Sequence, residues 1–519
     1  MPCPLAAAAC VWARHAVLLR MFTKLLIANR GEIAVRIART CRELGVRSVA
    51  AFSDPDMGAA HVRAADEAYP LGGTTPTESY LRADALIEIA RRAGAEAVHP
   101  GYGFLAENAD FAQACADAGL VFVGPPPAAM RALGSKTAAR KTMRAAGVPL
   151  VPGTLEPVAT ADAALAEAKR TGYPIVLKAV AGGGGKGMRV VWQAEGLAPA
   201  FRQASNEAQA AFGDPSLYLE RLLAEPRHVE VQILADQHGN VVHLGERECS
   251  VQRRHQKLLE ESPSPAVSPR LREQMGQVAV RAARAVGYTN AGTCEFLLDR
   301  DGNFYFLEVN ARLQVEHPVT ELVTGLDLVD QQLRIAAGEP LGFVQADVQS
   351  RGHAIECRIS AEDPANQFFP ATGRVRAIRE PGGPGVRVDG ALEPGQEISL
   401  FYDPLLAKLI VRAEDRAAAI RRMRRALGEY LVLGVRTTIS FHRWLMDHPA
   451  FQAGETDTGF VERHWSPEAG ASDELTKNAV VAAVLAAHGA RRSRRALPPR
   501  TEPDGRWLSV ARQAALRRR

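Results

Sequence analysis

Short apolar segments that alternate with helix-period runs constrain this 519-residue chain more than any other feature. Lys24-Leu25-Leu26-Ile27-Ala28 reads as a buried strand, followed by Asn29-Arg30-Gly31-Glu32 and a helix-period run to Leu44. Val46 to Phe52, Ala97-Val98-His99 and Leu120 to Gly124 read as further buried strands, with Ala-rich helical stretches between them. Strands joined through helices pair in parallel, so residues 22–133 are predicted to form a doubly wound parallel sheet. Pro125-Pro126-Pro127 and the segment after it close this block.

The next block has a different texture. Tyr173 to Ala179 is a strand that runs into Gly182-Gly183-Gly184-Gly185-Lys186-Gly187, and Arg227 to Leu244 reads as a hairpin around His238-Gly239-Asn240. After Ser350 the chain turns to short strands punctuated by Gly and Pro, closed by a helix from Arg416 to Tyr430. At roughly 150 residues per domain the length allows three to four domains. The composition, 47% hydrophobic and 23% charged, excludes a disordered, fibrous or small disulfide-linked chain. A net charge of +5 gives no sign of a nucleic-acid partner, and no apolar run is long enough to cross a membrane. Seven scattered Cys without a CxxC pair read as free thiols, so the chain is expected in the cytoplasm. Residues 1–21 read as a disordered extension or upstream start, with an organelle-targeting peptide as the alternative. The Arg- and Ala-rich tail 466–519 reads as solvated.

Thr293 to Asn310 carries the strongest physical signal. With Asp301-Gly302 as a two-residue turn, Glu295 lies directly opposite Glu308, among apolar neighbours that predict burial of the pair. Two buried carboxylates face to face need a cation or a shared proton. Asn310, on the same face, adds an oxygen ligand, and an oxygen-only set suits Mg²⁺ or Mn²⁺ holding a phosphate. The glycine run is either a linker or a phosphate-covering lid; it is not a Walker A motif, since Met188 follows Gly187. Three polar stretches, His99 to Phe104, Gln252 to Lys257 and Arg312 to Pro318, stand at predicted strand ends, where α/β proteins build sites. Taken singly, His99 and His317 read better as satisfied core histidines. Only nine of the 63 basic residues are Lys, and Lys136, Lys178, Lys186 and Lys257 fall in or beside these segments.

Ile27 to Ala34, His99 to Asn108, Lys178 to Met188, Glu248 to Lys257 and Glu308 to Pro318 together resemble biotin carboxylase, a member of the ATP-grasp superfamily, from about Phe22 to His464. The resemblance implies an N-terminal parallel-sheet domain (22–133), a central ATP-grasp fold (134–332) with a mobile glycine-rich lid at about 151–222, and a C-terminal mixed α+β domain (352–460). It implies that ATP and bicarbonate give carboxyphosphate and that the carboxyl group then passes to biotin. Carried over by motif, Lys136, Lys178, Gly184, Gly185, Met188, Glu220, Leu223, His228, Gln252, His255 and Leu297 would surround ATP. Glu295, Glu308 and Asn310 would hold two Mg²⁺ or Mn²⁺ ions. Lys257, Arg312, Gln314 and Val315 would hold bicarbonate, with Glu316 as general base. Arg358 would stabilise the enolate-like biotin oxygen, and Tyr102, Gly103 and Asp403 would line the biotin pocket. Lys257 and Arg312 join Glu316 and Arg358 in the catalytic set.

Two positions depart from the family pattern: Ala311, between two retained side chains, stands where the family often has Thr, and Arg221 where Lys is common. No Met-Lys dipeptide of the kind that carries biotin occurs, and the tail is too short for a biotinyl domain. The biotin carboxyl carrier protein and the carboxyltransferase are therefore expected on separate chains, with a homodimer as the common family state. Competing readings are another ATP-grasp ligase, against which Glu316 and Arg358 argue, and a silent scaffold, against which the intact constellation argues.

Overall fold

In a computed structural model the first strands, β1 (Lys24–Ile27), β2 (Arg47–Phe52), β3 (Glu67–Pro70), β4 (Ala97–His99) and β5 (Val121–Phe122), form a parallel sheet in the order β3-β2-β1-β4-β5. Its inner strands are mostly apolar because helices cover both faces; α1 (Gly31–Glu43) buries Ile33, Ala34, Ile37 and Cys41 against one of them. The chain order reverses between β1 and β4, which opens a crevice at their carboxyl ends. Asn29 and the loop after His99 meet there: Asn29 Nδ2 donates to the carbonyls of Pro100 and Tyr102, both at 2.7 Å.

The structure describes residues 21–134, 136–180, 188–467 and 486. Residues 1–20, the predicted lid residues Gly184, Gly185 and Lys186, and almost all of the predicted tail lie outside the described residues, as does the side chain of Lys136. Residues through Trp465 make one unit and Ser466–Arg519 a second.

The second layer is an antiparallel sheet of eight strands. Six are β9 (Arg227–Ala235), β10 (Val241–Arg253), β11 (Gln256–Ser262), β12 (Asn290–Leu298), β13 (Phe304–Asn310) and β14 (His353–Ser360), arranged β13-β12-β9-β10-β11-β14. Leu405–Ala413 and then Val386–Gly390 complete it beyond β14. The change of texture after Ser350 does not interrupt this sheet, because Leu259 to Ser262 pair with Cys357 to Ala354. Polar residues from four separated stretches thereby come onto one surface. A smaller sheet, β7-β6-β8, is formed by β6 (Ile175–Ala179), β7 (Arg189–Val191) and β8 (Leu217–Arg221). The helices Ala161–Thr171 and Leu197–Phe212 pack on it through Ala164, Ala168, Phe201 and Ala204.

Candidate active site

Glu295 and Glu308 are Cα partners across β12 and β13, but by a longer route than a two-residue turn. Asp299 N donates to the Asn303 carbonyl at 2.9 Å, so Arg300-Asp301-Gly302 form a three-residue loop with Gly302 at φ +83. That loop shifts the register by one residue, and a bulge between Phe306 and Glu308 shifts it back. The two displacements cancel. The predicted shared burial is not observed: Glu295 is buried, whereas Glu308 is exposed at the sheet edge.

Glu295 is also the partner of Glu230 on β9, and Glu230 of Arg247 on β10, so four charged residues run in a row across the sheet. Like charges on adjacent strands repel, and here Lys257 answers them. Its ammonium donates to Glu230 at 2.6 Å, Glu295 at 2.9 Å and Glu316 at 2.7 Å. All three carboxylates are buried. Burial opposes a charged Lys257, but these neighbours hold its pKa well above the ordinary lysine value. Arg247, itself fully buried, donates to the other Glu230 oxygen at 2.5 Å and to Gln232 and Thr320. A low-dielectric cluster of this kind is tolerable only because every charge has a hydrogen-bonded counterpart.

Glu316 stands immediately before the helix His317–Thr324, whose first turn is fixed by Pro318. Its second oxygen accepts from Arg358 at 2.9 Å, while Arg358 Nε donates to Glu260 at 2.6 Å. Burial would raise the Glu316 pKa; Lys257, Arg358 and Arg247 overcome it and hold the carboxyl well below the usual range. Glu260 goes the other way, pushed up to about 7 by burial and by the Glu316 charge, although Arg358 lowers it. Arg312 Nη1 donates to Gln314 Oε1 at 2.8 Å and Nη2 to Asn310 Oδ1 at 2.9 Å, and Gln314 Nε2 donates to Glu295 at 3.1 Å. Arg312, Gln314, Glu295, Lys257, Glu316 and Arg358 are thus joined in one continuous chain of contacts, with Asn310 at its Arg312 end.

A second group lies near the small sheet. Lys178 donates to Glu220 at 2.5 Å, and Arg140 holds the other Glu220 oxygen. His228 Nε2 is 3.1 Å from Glu295, and His228 pairs with Leu297 across the strands. Gln252 is buried, whereas His255 is exposed in a two-residue turn where Arg254 (φ +48) and His255 (φ +65) take the left-handed conformation usually left to Asn or Gly. Met188 and Leu223 are half-buried. Tyr102 is half-buried beside Lys408, whose ammonium is 5.7 Å from the ring centroid, while Gly103 and Asp403 are exposed. Asp403 accepts from Leu405 N at 2.8 Å, a contact within its own loop. His99 and His317 are fully buried, and burial holds His99 down to about 3 and His317 well below its usual value. Both are neutral structural groups: His99 Nδ1 accepts from Gly101 N at 3.0 Å, and His317 Nδ1 faces the Gln314 carbonyl at 2.8 Å.

The oxygen donors fit a divalent cation. Asn310 Oδ1 accepts from Arg312 and its Nδ2 is buried without a hydrogen-bond partner, so the amide would have to release Arg312 before its oxygen could turn to an ion. Among the described residues a closer set, His228, Glu230 and Glu295, has ligating atoms within 4.8 Å of one another, but Lys257 already supplies its countercharge.

Sequence reading missed Glu230, Arg247, Glu260, Arg140 and Lys408. Glu230 alternates with Val229 and Val231 in a buried strand, and its inward direction is visible only once β9 lies between β12 and β10. Lys408 carried a usable signal: it is one of nine Lys and sits within Leu405-Leu406-Ala407-Lys408-Leu409-Ile410, where an exposed charge would be out of place.

Three known families match consecutive parts of the chain. "Biotin carboxylase, N-terminal domain" matches residues 21–130, "Carbamoyl-phosphate synthase L chain, ATP binding domain" residues 135–344, and "Biotin carboxylase C-terminal domain" residues 356–463. A biotin carboxylase from Nostoc sp. is 54% identical over 441 residues, covering 85% of this chain and 99% of its own. Biotin carboxylase 1 of Bacillus subtilis is 51% identical over 445 residues, covering 86% and 99%. Among solved structures, the biotin carboxylase domain dimer of Hydrogenobacter thermophilus 2-oxoglutarate carboxylase, in complex with MgADP, ADP and bicarbonate, superposes with a TM-score of 0.84. It is 47% identical and covers 87% of this chain and 99% of its own.

Proposed function

The chain belongs to the biotin carboxylase family, and from that membership we propose the part each residue plays in its reaction. It is an ATP-dependent ligase that carboxylates biotin with bicarbonate, by way of carboxyphosphate and ADP. The observation that carries the assignment of roles is the arrangement Lys257–Glu316–Arg358, a buried carboxylate clamped between two cations that come from different strands.

Bicarbonate binds between Lys257, Arg312, Gln314 and the Val315 backbone. Before it arrives, Glu316 is too strongly held by Lys257 and Arg358 to be a good base. An anion set beside Lys257 shares that ammonium, weakens its hold on Glu316 and raises the carboxylate's proton affinity where the bicarbonate proton must go. Proton transfer to Glu316 readies the bicarbonate oxygen for the γ-phosphate. Lys178, Lys136, His228, Gln252, His255, Met188, Leu223 and Leu297 contribute to the nucleotide site, with Glu220 holding Lys178 in place. By the family resemblance, glycines 184 and 185 would cover the bound nucleotide and keep water from the mixed anhydride. Glu295, Glu308 and Asn310 would hold the divalent ions, which neutralise phosphate charge. Arg358 meets the negative charge that develops on the biotin ureido oxygen. Tyr102, Gly103 and Asp403 receive the biotin.

Arg358→Ala is expected to remove biotin-dependent turnover by about 10²–10³-fold, the usual cost of losing one oxyanion donor. ATP cleavage that needs bicarbonate alone should fall much less; equal loss of both would contradict the role. Glu295→Gln should raise the Mg²⁺ concentration needed for half-maximal ADP release by about tenfold or more, since one charged ligand is lost. An unchanged Mg²⁺ titration would rule that ligand out.

The acceptor of carboxybiotin is set by a carboxyltransferase. We place the chain in an acetyl-CoA or other acyl-CoA carboxylase, working with a biotin carboxyl carrier protein on another chain. Relatives include components of a pyruvate carboxylase and of a methylcrotonoyl-CoA carboxylase, so the site itself is compatible with several acceptors. The dimeric Hydrogenobacter relative supports a homodimer. The buried free thiols of Cys41, Cys115, Cys249, Cys294 and Cys357 support a cytoplasmic setting, and no described helix is long and apolar enough to cross a membrane.

A further inference from the structure

Lys408 lies on the strand Leu405–Ala413, with Arg358 as its partner on one side and Asp389 on the other. Its side chain has no exposed surface. The ammonium donates to the Val315 carbonyl at 3.0 Å, lies 3.4 Å from Glu32 and 3.8 Å from Asp389, and stands over the Tyr102 ring. These four groups come from the bicarbonate loop, the start of α1, the neighbouring strand and the biotin loop. Removing a lysine from water is costly, and burying it requires a counterpart for its charge and each of its donors. Asp389 is already held bidentately by Arg387, at 2.8 and 2.7 Å, and does not depend on Lys408. Burial pushes Glu32 up to about 7, against the Lys408 charge, which lowers it, and the 3.4 Å contact between them is longer than the one to Val315. The shortest contact of Lys408 is therefore with the Val315 carbonyl. In a chain with nine Lys against 54 Arg, a compact ammonium is kept where a guanidinium would be too large for the space.

We propose that Lys408 is a positioning residue for bicarbonate: by donating to the Val315 carbonyl it fixes the Arg312–Glu316 segment, and by standing over the Tyr102 ring it ties that segment to the biotin loop. This rests on the reading of Arg312–Glu316 as the bicarbonate site. A pinned carbonyl fixes the peptide that leads into Glu316 and limits rotation at Val315, so both the anion's binding groups and the base are held in register. Without Lys408 the loop keeps its sequence but loses its anchor.

The test starts from Glu32→Gln, which removes the charge that would otherwise be stranded and leaves the bicarbonate groups untouched. This parent must show saturable, bicarbonate-dependent ADP release; if it does not while folded, the bicarbonate reading itself fails. In that background, Lys408→Met is expected to raise KM for bicarbonate at least tenfold while KM for ATP stays within twofold. Lys408→Gln can still donate to the Val315 carbonyl and should bring KM for bicarbonate back to within threefold of the parent. A purely structural lysine would change both KM values together and would not distinguish Gln from Met. An unchanged bicarbonate KM in the folded Met variant, or equal defects in Met and Gln, overturns the proposal. Should the Met form not fold, the Gln form decides alone: a bicarbonate KM near the parent value supports the anchor, and a rise of tenfold or more overturns it.

Discussion

Glu316→Gln is expected to lower biotin carboxylation by about 10²–10⁴-fold, the range general-base catalysis supplies, with little change in the affinity for ATP. Glutamine keeps the shape and can still accept from Lys257 or Arg358, but it cannot take a proton from bicarbonate. The fold should survive, because Lys257 retains Glu230 and Glu295, and Arg358 retains Glu260. Circular dichroism and the thermal midpoint check the fold, and steady-state turnover against bicarbonate checks the chemistry. Turnover near that of the unsubstituted chain would remove Glu316 as the base. The expected split also separates the base from its neighbours: the loss should fall on kcat, since the groups that bind bicarbonate remain.

Lys257→Met should be worse in two ways. It leaves Glu230, Glu295 and Glu316 close together, all buried, with one fewer cation among them. Breaking a buried ion pair from one side costs about 3–5 kcal/mol, so a large fall in the thermal midpoint is expected. Loss of stability should also become smaller on acidification, because protonation relieves the crowded carboxylates. In the unsubstituted chain Lys257 and Arg358 hold Glu316 well below the ordinary carboxylate range, so the stability it contributes is present above pH about 4 and fades only as pH falls through its folded value. In Lys257→Met the Glu316 pKa moves upward, and that contribution fades at a higher pH. Bicarbonate-dependent turnover should be undetectable at neutral pH. A variant with an unchanged melting midpoint would show that the three short contacts do not carry the cluster.

Much of this was legible in the sequence. Alternating strand and helix signals are strong where both faces of a strand are covered, and β1, β2 and β4 fall where the apolar runs place them. The family resemblance rested on long motifs, and Lys257, Arg312, Gln314, Glu316 and Arg358 stand together in the structure. The hairpin was legible for a less secure reason. A two-residue turn gives Glu295 opposite Glu308, yet the pairing arises from a longer loop and a compensating bulge. Single-residue bulges depend on side-chain packing across strands, which sequence period does not report. Glu308 also illustrates the limit of reading burial from apolar neighbours: on an edge strand one side of that apolar neighbourhood is missing.

What sequence could not reach was the row across the sheet. Glu230, Arg247 and Glu260 occupy strands whose own patterns look like core, and their meaning comes from strand order. Three carboxylates on three separated segments meet one lysine because β9 lies between β12 and β10, with β11 beyond β10, and Arg358 reaches Glu316 because β14 continues the same sheet. The low proton affinity of the free Glu316 follows from that arrangement, and so does the expectation that bicarbonate itself makes the base stronger.

The most direct test of the account is ADP release by the purified chain with Mg²⁺ and ATP, measured with and without bicarbonate and with and without free biotin. Release that requires bicarbonate and is stimulated by biotin is the predicted result. Release by the folded protein that is indifferent to bicarbonate, or no release under any of these conditions, would contradict it.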